Sequence, residues 1–313
     1  MIRRGVARLF FAGALTGSVL LPLGTVLHLT VGDRFDGLAI LFYLTPWPVI
    51  AAGSAALVPF WWWKKRRRPA AAFAGLAVAA LGTWLGTSWF RHAAPTRRGD
   101  LRVVHWNVDR PQSWLPGDAR WLREQDADII ALAEGHNRRK PSTLGRWQAE
   151  FPDYQAVEFP GEMTCLIRGK ILAQESREFT DNSYCALLQV EIRGHPCTVL
   201  QVDITPRPIQ SRGPSLAHLT TLARPHFAGN FVILGDFNTP RESRLLAPLR
   251  AGMTNAFEAA GNGLAETWPW PVPVLSLDQI WSSRRLRAVG CAHGRSLRSD
   301  HRAVIADFAF VTD

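Results

Sequence analysis

Three long stretches near the N-terminus lack Asp, Glu, Lys and Arg altogether. They are residues 9–32, 37–63 and 69–90. As a helix rising about 1.5 Å per residue, each is long enough to cross a hydrocarbon core of about 30 Å. Buried helices of a soluble domain are the alternative, but three such stretches in a row are rare there. The pattern predicts three transmembrane helices, and the absence of intramembrane acids and bases argues against an ion channel or transporter.

Cysteine is scarce, and the four cysteines, Cys165, Cys185, Cys197 and Cys291, form no CxxC pair. Without that spacing the sequence contains no cysteine-based metal or redox motif. An even number of cysteines permits disulfides in an oxidising compartment, with three alternative pairings. Buried free thiols are the other interpretation, and both stay open at the level of sequence.

Positive charge is concentrated in the N-terminal part of the chain. The formal net charge is +10, of which residues 1–90 contribute +7 and residues 91–313 contribute +3. A basic chain normally favours nucleic-acid binding, but most of this excess flanks the uncharged stretches. The larger part of the chain is nearly balanced in charge, so the basic pI by itself gives little support to a nucleic-acid partner.

The position of the basic residues predicts the orientation of the chain in a membrane. Basic segments precede residue 9 and occupy residues 64–68, whereas the loop between the first two stretches has only Arg34 beside two aspartates. Positive segments stay in the cytoplasm. We therefore expect a multi-pass cell-membrane protein with a cytoplasmic N-terminus, a membrane domain over residues 1–92, and an extracytoplasmic (periplasmic or extracellular) domain over residues 93–313.

Residues 93–313 first alternate strand-type and helix-type segments and then continue as short strands. This order is typical of an α/β fold with two packed sheets and helices outside. The sequence Thr239-Pro240-Arg241-Glu242 combines an N-cap, a proline at the first helical position and a capping glutamate, so it predicts a helix directly after Asn238. Residues 138–150 have a helical pattern as well, and the Gly-, Pro- and Trp-rich residues 261–274 are predicted to form a loop.

An acidic residue and an amide residue close one apolar strand. Residues 230–234 are of strand type and lead directly into Gly235-Asp236-Phe237-Asn238. Side chains alternate along a strand, so Asp236 and Asn238 leave its end in the same direction. This arrangement places a base and a hydrogen-bond donor on one reacting group.

Polar groups occur at the predicted strand ends of five segments. They are His105-Trp106-Asn107-Val108-Asp109, Leu132-Ala133-Glu134-Gly135, Gly235-Asp236-Phe237-Asn238, Leu277-Asp278-Gln279-Ile280 and Ser299-Asp300-His301. Each alone is explained by a cap, a turn or a surface ion pair. Together and in this order they resemble the endonuclease/exonuclease/phosphatase (DNase I-like) superfamily, which includes the pancreatic deoxyribonuclease, abasic-site endonucleases, inositol polyphosphate 5-phosphatases and bacterial sphingomyelinases. The resemblance covers about residues 100–311.

The resemblance implies a four-layer α/β sandwich that cleaves phosphate esters with a divalent cation, Mg²⁺ or Mn²⁺. It implies Glu134 as the main metal ligand, with Asp109 and Asp300 helping to hold the ion. The residue types agree with this, because Mg²⁺ keeps several waters and takes only one or two carboxylates. A zinc site would instead require histidine and cysteine ligands.

The resemblance also implies the catalytic roles. Asp236 would align or deprotonate the attacking water, while Asn107, Asn238 and His301 would bind the phosphate. His301 would assist the leaving group and would be oriented by Asp278. An imidazole whose other nitrogen is held by a carboxylate can donate a hydrogen bond to a phosphate oxygen, which agrees with that role.

One strand end departs from the family pattern. Residues 199–204 occupy the place where many members have Thr-His-Leu, and Asp203 stands where that histidine would be. Close analogy to the deoxyribonuclease and sphingomyelinase branches is therefore not implied. A loop cap and a site role both stay open for Asp203, and Arg207 and Arg212 nearby are candidates to meet a substrate phosphate.

The combined patterns predict a membrane-anchored, metal-dependent phosphohydrolase of phosphodiesterase or nuclease type. A lipid headgroup and a nucleic acid are both candidate substrates. The anchor favours the lipid by raising its effective concentration, and the small net charge of the outer domain gives nucleic acid no special support. A catalytically silent binding or sensor protein of the same fold is the alternative. The presence of all the acids, the amides and the histidine argues against it.

Overall fold

The chain divides into two compact units, Met1–Trp89 and Phe90–Asp313. A computed structural model describes residues 2–93, 98–111, 116–136, 142–180, 182–207, 209–294 and 298–311. The first unit is built from helices, and the second from two six-stranded sheets, a two-stranded sheet and further helices.

Helices α1 to α4 form the first unit. Their bounds are α1 Ile2–Leu29, α2 Asp36–Leu44, α3 Trp47–Trp63 and α4 Arg67–Ser88. Leu9–Leu29 of α1 and the whole of α4 are long and apolar enough to cross a membrane. Helices α2 and α3 meet the same criterion only as a pair, and a bend of 62° separates them. By length and composition the unit thus has two candidate spans, or three if the bent pair is one span.

The prediction of one continuous helix over residues 37–63 is wrong, because two helices, α2 and α3, cover this range. The helix breaks at Thr45, whose φ of −120° and ψ of 51° are not helical. Pro46 follows, and a proline lacks an N–H and disfavours helical geometry at the residue before it. The predicted span over residues 69–90 also ends earlier, since Trp89–Arg91 forms a short strand, β1.

Strands β1 to β14 and helices α5 to α9 follow α4. In chain order they are β1 Trp89–Arg91, β2 Leu101–Asn107, α5 Pro116–Glu124, β3 Ile129–Ala133, α6 Leu144–Glu150, β4 Gln155–Phe159, β5 Met163–Ile167, β6 Lys170–Thr180, β7 Ser183–Ile192, β8 His195–Asp203, α7 Gly213–Ala223, β9 Phe231–Asp236, α8 Ala247–Arg250, β10 Thr254–Asn255, α9 Ala256–Ala260, β11 Asn262–Leu264, β12 Asp278–Ser282, β13 Leu286–His293 and β14 Val304–Phe310. Short 3₁₀ turns occur at Arg224–His226 and Arg244–Leu246.

Both large sheets of the second unit are mixed. The β2 sheet has the strand order β13-β14-β2-β3-β5-β4, and the β9 sheet has the order β10-β12-β9-β8-β7-β6. Strands β2 and β3 are parallel, as are β8 and β9, and the other pairs are antiparallel. The carboxyl ends of parallel strands meet at one edge of a sheet, which is where open α/β sheets bind ligands.

Apolar side chains fill the spaces between four layers. Ile129 of the β2 sheet and Leu234 of the β9 sheet belong to the cluster that lies between the sheets. On the outer face of the β2 sheet the cluster includes Leu122 of α5 and Trp147 of α6. On the outer face of the β9 sheet it includes Leu216 of α7. Burial of each such side chain contributes about 1.5–3 kcal/mol, and the prediction of two mixed sheets flanked by helices is confirmed.

The helix predicted directly after Asn238 does not form there. Ser243 instead caps a 3₁₀ turn by accepting the N–H of Leu245 at 3.1 Å, and α8 begins only at Ala247. Contacts outside the segment hold it in another conformation, since the carbonyl of Arg241, which a helix would pair with the N–H of Leu245, accepts from Nη2 of Arg250 at 2.7 Å. Local capping signals are weak enough for such contacts to override them.

Two further segments differ from the sequence patterns. Helix α6 begins at Leu144, and residues 138–141 of the predicted helix lie outside the described residues. The predicted loop over residues 261–274 contains the short strand β11, which pairs with β1. All four cysteines are buried free thiols, which supports the free-thiol interpretation over disulfides.

Candidate active site

Three aspartates lie side by side on neighbouring strands of the β9 sheet. Asp236 ends β9 and is in register with Asp203 at the end of β8 and with Asp278 at the start of β12. Residues in register on adjacent strands share one face of the sheet. All three aspartates are buried, with exposed fractions of 2%, 8% and 3% in the order named. The site role left open for Asp203 is therefore consistent with its position.

The β2 sheet brings Asn107 and Glu134 to the same edge. Asn107 is the last residue of β2, and Glu134 directly follows the parallel strand β3. Nδ2 of Asn107 donates a hydrogen bond to Oδ2 of Asp236 at 3.0 Å. This bond joins the two sheets inside the site and fixes the distance between their strand ends.

Loop residues around the site have unusual backbone geometry. Asp109, Arg110, Glu134 and Asn238 have φ values of 53°, 43°, 51° and 44°. This left-handed region is uncommon for non-glycine residues. Such conformations persist only where the surrounding structure determines them, and they concentrate at functional sites.

His301 lies in the loop before β14 and is held by Asp278. Nδ1 of His301 donates to Oδ2 of Asp278 at 2.8 Å, since a carboxylate can only accept. Its Nε2 lies 4.0 Å from Oδ2 of Asp236 and 3.9 Å from Oδ1 of Asp300. Burial lowers the pKa of His301, but the charge and the hydrogen bond of Asp278 outweigh it and raise that pKa to about 10.

His105 contacts the other oxygen of Asp278, and the sequence analysis assigned it no role in the site. Its Nε2 lies 3.3 Å from Oδ1 of Asp278, and its Nδ1 lies 3.2 Å from the carbonyl of Ala131. The side chain is fully buried. His105 precedes Asn107 by two positions in β2, so strand alternation places both on one face. That spacing is the signal that could have identified it.

Three acidic groups of the site have raised pKa values, whereas the charges of His301 and His105 lower that of Asp278 against the effect of burial. Burial raises the pKa of Asp236, and the charge of Asp278 adds to it. The pKa of Asp203 is raised well above its usual value by burial and by Asp236 and Glu134. Burial also raises the pKa of Glu134, against the charge of Arg110. A cation bound beside these buried carboxylates would stabilise their charged forms.

A group of three residues has the geometry to hold a metal ion. Asp236, Asp278 and His301 offer ligand atoms that all lie within 4.8 Å of one another. Glu134 lies near this group, because the preceding Ala133 is in register with Asn107, whose Nδ2 donates to Asp236. Carboxylate oxygens are the donors that Mg²⁺ and Mn²⁺ prefer.

The other two acids of the predicted metal site are exposed. Oδ2 of Asp300 accepts a hydrogen bond from Nε1 of Trp268 at 2.7 Å, and the Asp300 side chain is 48% exposed. The backbone N–H of Asp109 donates to Oδ1 of Asn107 at 3.0 Å. No hydrogen bond or ion pair found among the described residues involves the Asp109 carboxylate. Of the three predicted metal ligands, Glu134, whose side chain is 14% exposed, is therefore the one that lies with the buried aspartates, whereas Asp109 and Asp300 are exposed.

Asn238 is fixed by its backbone and by its side chain. Its N–H donates to Oδ1 of Asp236 at 2.8 Å, and its Nδ2 donates to the carbonyl of Ile204 at 2.8 Å. Nε of Arg212 donates to the carbonyl of Asn238 at 2.7 Å. Arg212 is buried, and its other nitrogens donate to the backbone carbonyls of residues 206, 207 and 210, so it ties these residues to Asn238.

Solved structures with the same fold include a protein named as a phosphatase. An endonuclease/exonuclease/phosphatase family protein from Bacteroides thetaiotaomicron is 14% identical, with a TM-score of 0.57 over 69% of this chain and 100% of its own. Truncated TDP2 from Caenorhabditis elegans is 20% identical, with a TM-score of 0.53 over 67% and 97%. The mannosyl-6-phosphatase Bt3783 from Bacteroides thetaiotaomicron is 14% identical, with a TM-score of 0.56 over 67% and 100%.

A search of curated protein sequences finds no match. The structural likeness at these identities shows the fold alone. The profile of the Endonuclease/Exonuclease/phosphatase family, however, matches residues 104–301. This range is more than half of the chain and contains all five strand-end segments. The chain therefore belongs to the Endonuclease/Exonuclease/phosphatase family.

Proposed function

We propose that this protein is a membrane-anchored, divalent-metal-dependent phosphoric ester hydrolase of phosphodiesterase or nuclease type. The observation that carries the proposal is the convergence of buried Asp236, Asp278 and His301, within 4.8 Å, beside Glu134. Phosphoester cleavage needs charge neutralisation and alignment more than covalent chemistry from the protein. Buried carboxylates next to an imidazole can supply both once a cation is present.

Glu134 is the main metal ligand in this proposal, with Asp109 and Asp300 completing the site for Mg²⁺ or Mn²⁺. The group that contains Asp278 could also hold an ion. We assign Asp278 an orienting role instead, because its two oxygens face the nitrogens of His301 and His105 at 2.8 and 3.3 Å. A bound divalent ion neutralises charge on the phosphate and on the carboxylates around it.

The protein's own residues then position the reacting groups. Asp236 aligns or deprotonates the attacking water, and Asn107 and Asn238 hold phosphate oxygens. His301 contacts the phosphate through Nε2 and assists the leaving group. Asp278 fixes the ring of His301 through Nδ1, which leaves Nε2 directed towards Asp236 and Asp300.

The substrate in this proposal is a phosphate ester that is part of a lipid headgroup or a nucleic acid. One protein of similar fold is named a mannosyl-6-phosphatase, and another, TDP2 from D. rerio, holds a single-strand DNA product. The two or three candidate spans support anchoring in a membrane. An anchor raises the effective concentration of a lipid substrate, so a lipid headgroup is the first substrate class to test.

Hydrolysis of bis-p-nitrophenyl phosphate by the purified full-length protein tests the proposal. We expect activity that requires Mg²⁺ or Mn²⁺, is abolished by EDTA, and falls by at least about 100-fold in Glu134→Ala and His301→Ala. Glu150→Ala, which removes a carboxylate that pairs with Arg123 on the surface, is the matched control.

Labelled phospholipids and labelled single-stranded DNA then separate the two substrate classes. A folded wild-type protein without activity on any of these substrates, across divalent metals, would instead support the catalytically silent binding or sensor protein.

A further inference from the structure

Arg110 places a guanidinium on the acidic side of the site. It follows Asp109 in the loop after β2, and its backbone N–H donates to the carbonyl of Glu134 at 3.1 Å. Nη1 of Arg110 lies 2.6 Å from Oε2 of Glu134, and Nε is ion-paired with Oε2 of Glu162. One side chain thus bridges a carboxylate that follows β3 and a carboxylate that precedes β5.

The two carboxylates hold Arg110 through different nitrogens. The side chain of Arg110 is 46% exposed, whereas those of Glu134 and Glu162 are 14% and 9% exposed. The charge of Asp203 also acts on Arg110. The guanidinium is therefore the cation nearest to the proposed metal ligand, and one of its sides is open to solvent.

Glycine at position 161 positions the turn that carries Glu162. Its φ is +83°, and a Cβ at this position would lie 2.6 Å from the ring of Tyr184. Only glycine permits both the backbone geometry and the close approach. The turn is thus packed against the β9 sheet, so Glu162 is a fixed anchor for Nε of Arg110.

We propose that Arg110 is an exchangeable cation of this site. It neutralises Glu134 when no metal ion is bound, and it turns from Glu134 to the substrate phosphate when a divalent ion takes that carboxylate. Glu162 holds the arginine through Nε in both states. This inference rests on the proposed function, in which Glu134 is the main metal ligand.

Charge and geometry together favour this exchange. A guanidinium remains charged at all physiological pH values. Arg110 therefore cannot release Glu134 by losing a proton, and it must move when a metal ion binds to that carboxylate. Two cations on the same carboxylate repel each other. The anchor at Glu162 limits the movement to the end of the side chain, and the released nitrogens can donate to phosphate oxygens, which arginine binds in a bidentate manner.

Calorimetric titration of Mn²⁺ into the metal-free, full-length protein tests the exchange without relying on activity. We expect Arg110→Gln to bind Mn²⁺ about fivefold more tightly than the wild type, because the ion no longer displaces a partly exposed ion pair. Arg123→Gln is the matched control. Its side chain is 49% exposed and pairs with Glu150 at 3.1 Å, and its Mn²⁺ affinity should equal that of the wild type.

Titration of inorganic phosphate in saturating Mg²⁺ tests the metal-bound state, in which Arg110 contacts the phosphate. Arg110→Gln should bind phosphate about tenfold more weakly than the wild type, because it lacks the charge-assisted contact. Arg110→Lys keeps the charge but cannot bridge two acids. Its affinities for Mn²⁺ and for phosphate should therefore fall between those of the wild type and Arg110→Gln. Circular dichroism and the melting temperature verify that each variant is folded. If Arg110→Gln does not fold, Arg110→Lys is the test variant in both titrations.

The outcomes separate this inference from the proposed function. Unchanged or weaker Mn²⁺ binding by Arg110→Gln, or unchanged phosphate binding, overturns the exchange even if the wild type hydrolyses esters with Mn²⁺. A folded wild type that neither binds Mn²⁺ nor hydrolyses any ester overturns the proposed function, and the exchange with it.

Discussion

Nδ1 of His301 and Oδ2 of Asp278 are joined by a hydrogen bond of 2.8 Å. Asp278 begins β12 of the β9 sheet, whereas His301 precedes β14 of the β2 sheet. The bond therefore ties the imidazole of one sheet to a carboxylate of the other. It also determines which ring nitrogen carries a proton there and which one faces the remaining acids.

Asp278→Asn tests the dependence of His301 on this bond. The pKa of His301 is lowered by burial but raised to about 10 by the charge and the hydrogen bond of Asp278, so the variant should have a lower His301 pKa. We expect hydrolysis to fall by about 10²- to 10⁴-fold. Asp153→Asn, at an exposed position, is the control and should keep wild-type activity.

The same shift predicts how stability depends on pH. A histidine whose pKa rises from 6.5 to about 10 on folding stabilises the protein fully below pH 6.5. This contribution is lost as the pH rises through about 10. Urea unfolding in EDTA should therefore show a wild-type free energy of unfolding that declines over this window, with a smaller decline in Asp278→Asn. Parallel curves for the two proteins would contradict the assignment.

Glu134→Gln tests the need of the site for a cation. The pKa of Glu134 is raised by burial, so its ionised form is unfavourable in the folded protein, and the neutral variant should melt at the same or a higher temperature in EDTA. A metal concentration of 100 times Kd should stabilise the wild type by about 2.7 kcal/mol. The variant should lose most of this metal-dependent rise in Tm. Equal rises in Tm for both proteins would place the ion elsewhere.

Gly235→Ala tests the strand that carries Asp236. A Cβ at position 235 would lie 1.9 Å from the carbonyl oxygen of Val202 on the neighbouring strand, so β8 and β9 would have to separate. We expect a loss of at least about 3 kcal/mol in the free energy of unfolding. Gly145→Ala lies in α6 with open space around it and should instead stabilise the protein slightly. A neutral effect at position 235 would show that the strand pair tolerates a side chain.

The four cysteines should be unreactive in the folded protein. Burial raises the pKa of Cys165 and Cys197 to about 12 and that of Cys185 to about 11, and it raises that of Cys291 as well. Thiolate is the reactive species, so DTNB should modify fewer than one thiol per chain before denaturation and all four afterwards. A mass four daltons lower than that of the reduced chain would instead indicate two disulfides.

Reporter fusions test the orientation of the chain. If α2 and α3 together form one span, a reporter within residues 64–68 is cytoplasmic and a reporter after Ser88 is extracytoplasmic. If the bent pair returns to the side it entered from, both locations are reversed, and the Phe90–Asp313 unit is cytoplasmic. The five consecutive basic residues at 64–68 favour the first arrangement.

Local patterns in the sequence were sufficient for much of the fold. The strands around Asn107, Glu134 and Asp236 could be predicted because each is a short apolar run that ends in polar residues, and that signal is contained in a few neighbouring positions. The helix predicted after Asn238 failed for the opposite reason. Its capping residues were present, but the carbonyl of Arg241, which a helix would pair with a backbone N–H, accepts a hydrogen bond from the side chain of Arg250 instead.

The sequence by itself determined the three uncharged stretches, the order of the five polar segments and hence the family. Each of these is a property of consecutive residues. Only the tertiary structure decided the contact of His105 with Asp278 and the bridge of Arg110 between Glu134 and Glu162. Asn107 and Asp236, 129 positions apart, meet at 3.0 Å only because two sheets pack face to face. Contacts of that kind depend on the packing of the whole domain, which no local pattern encodes.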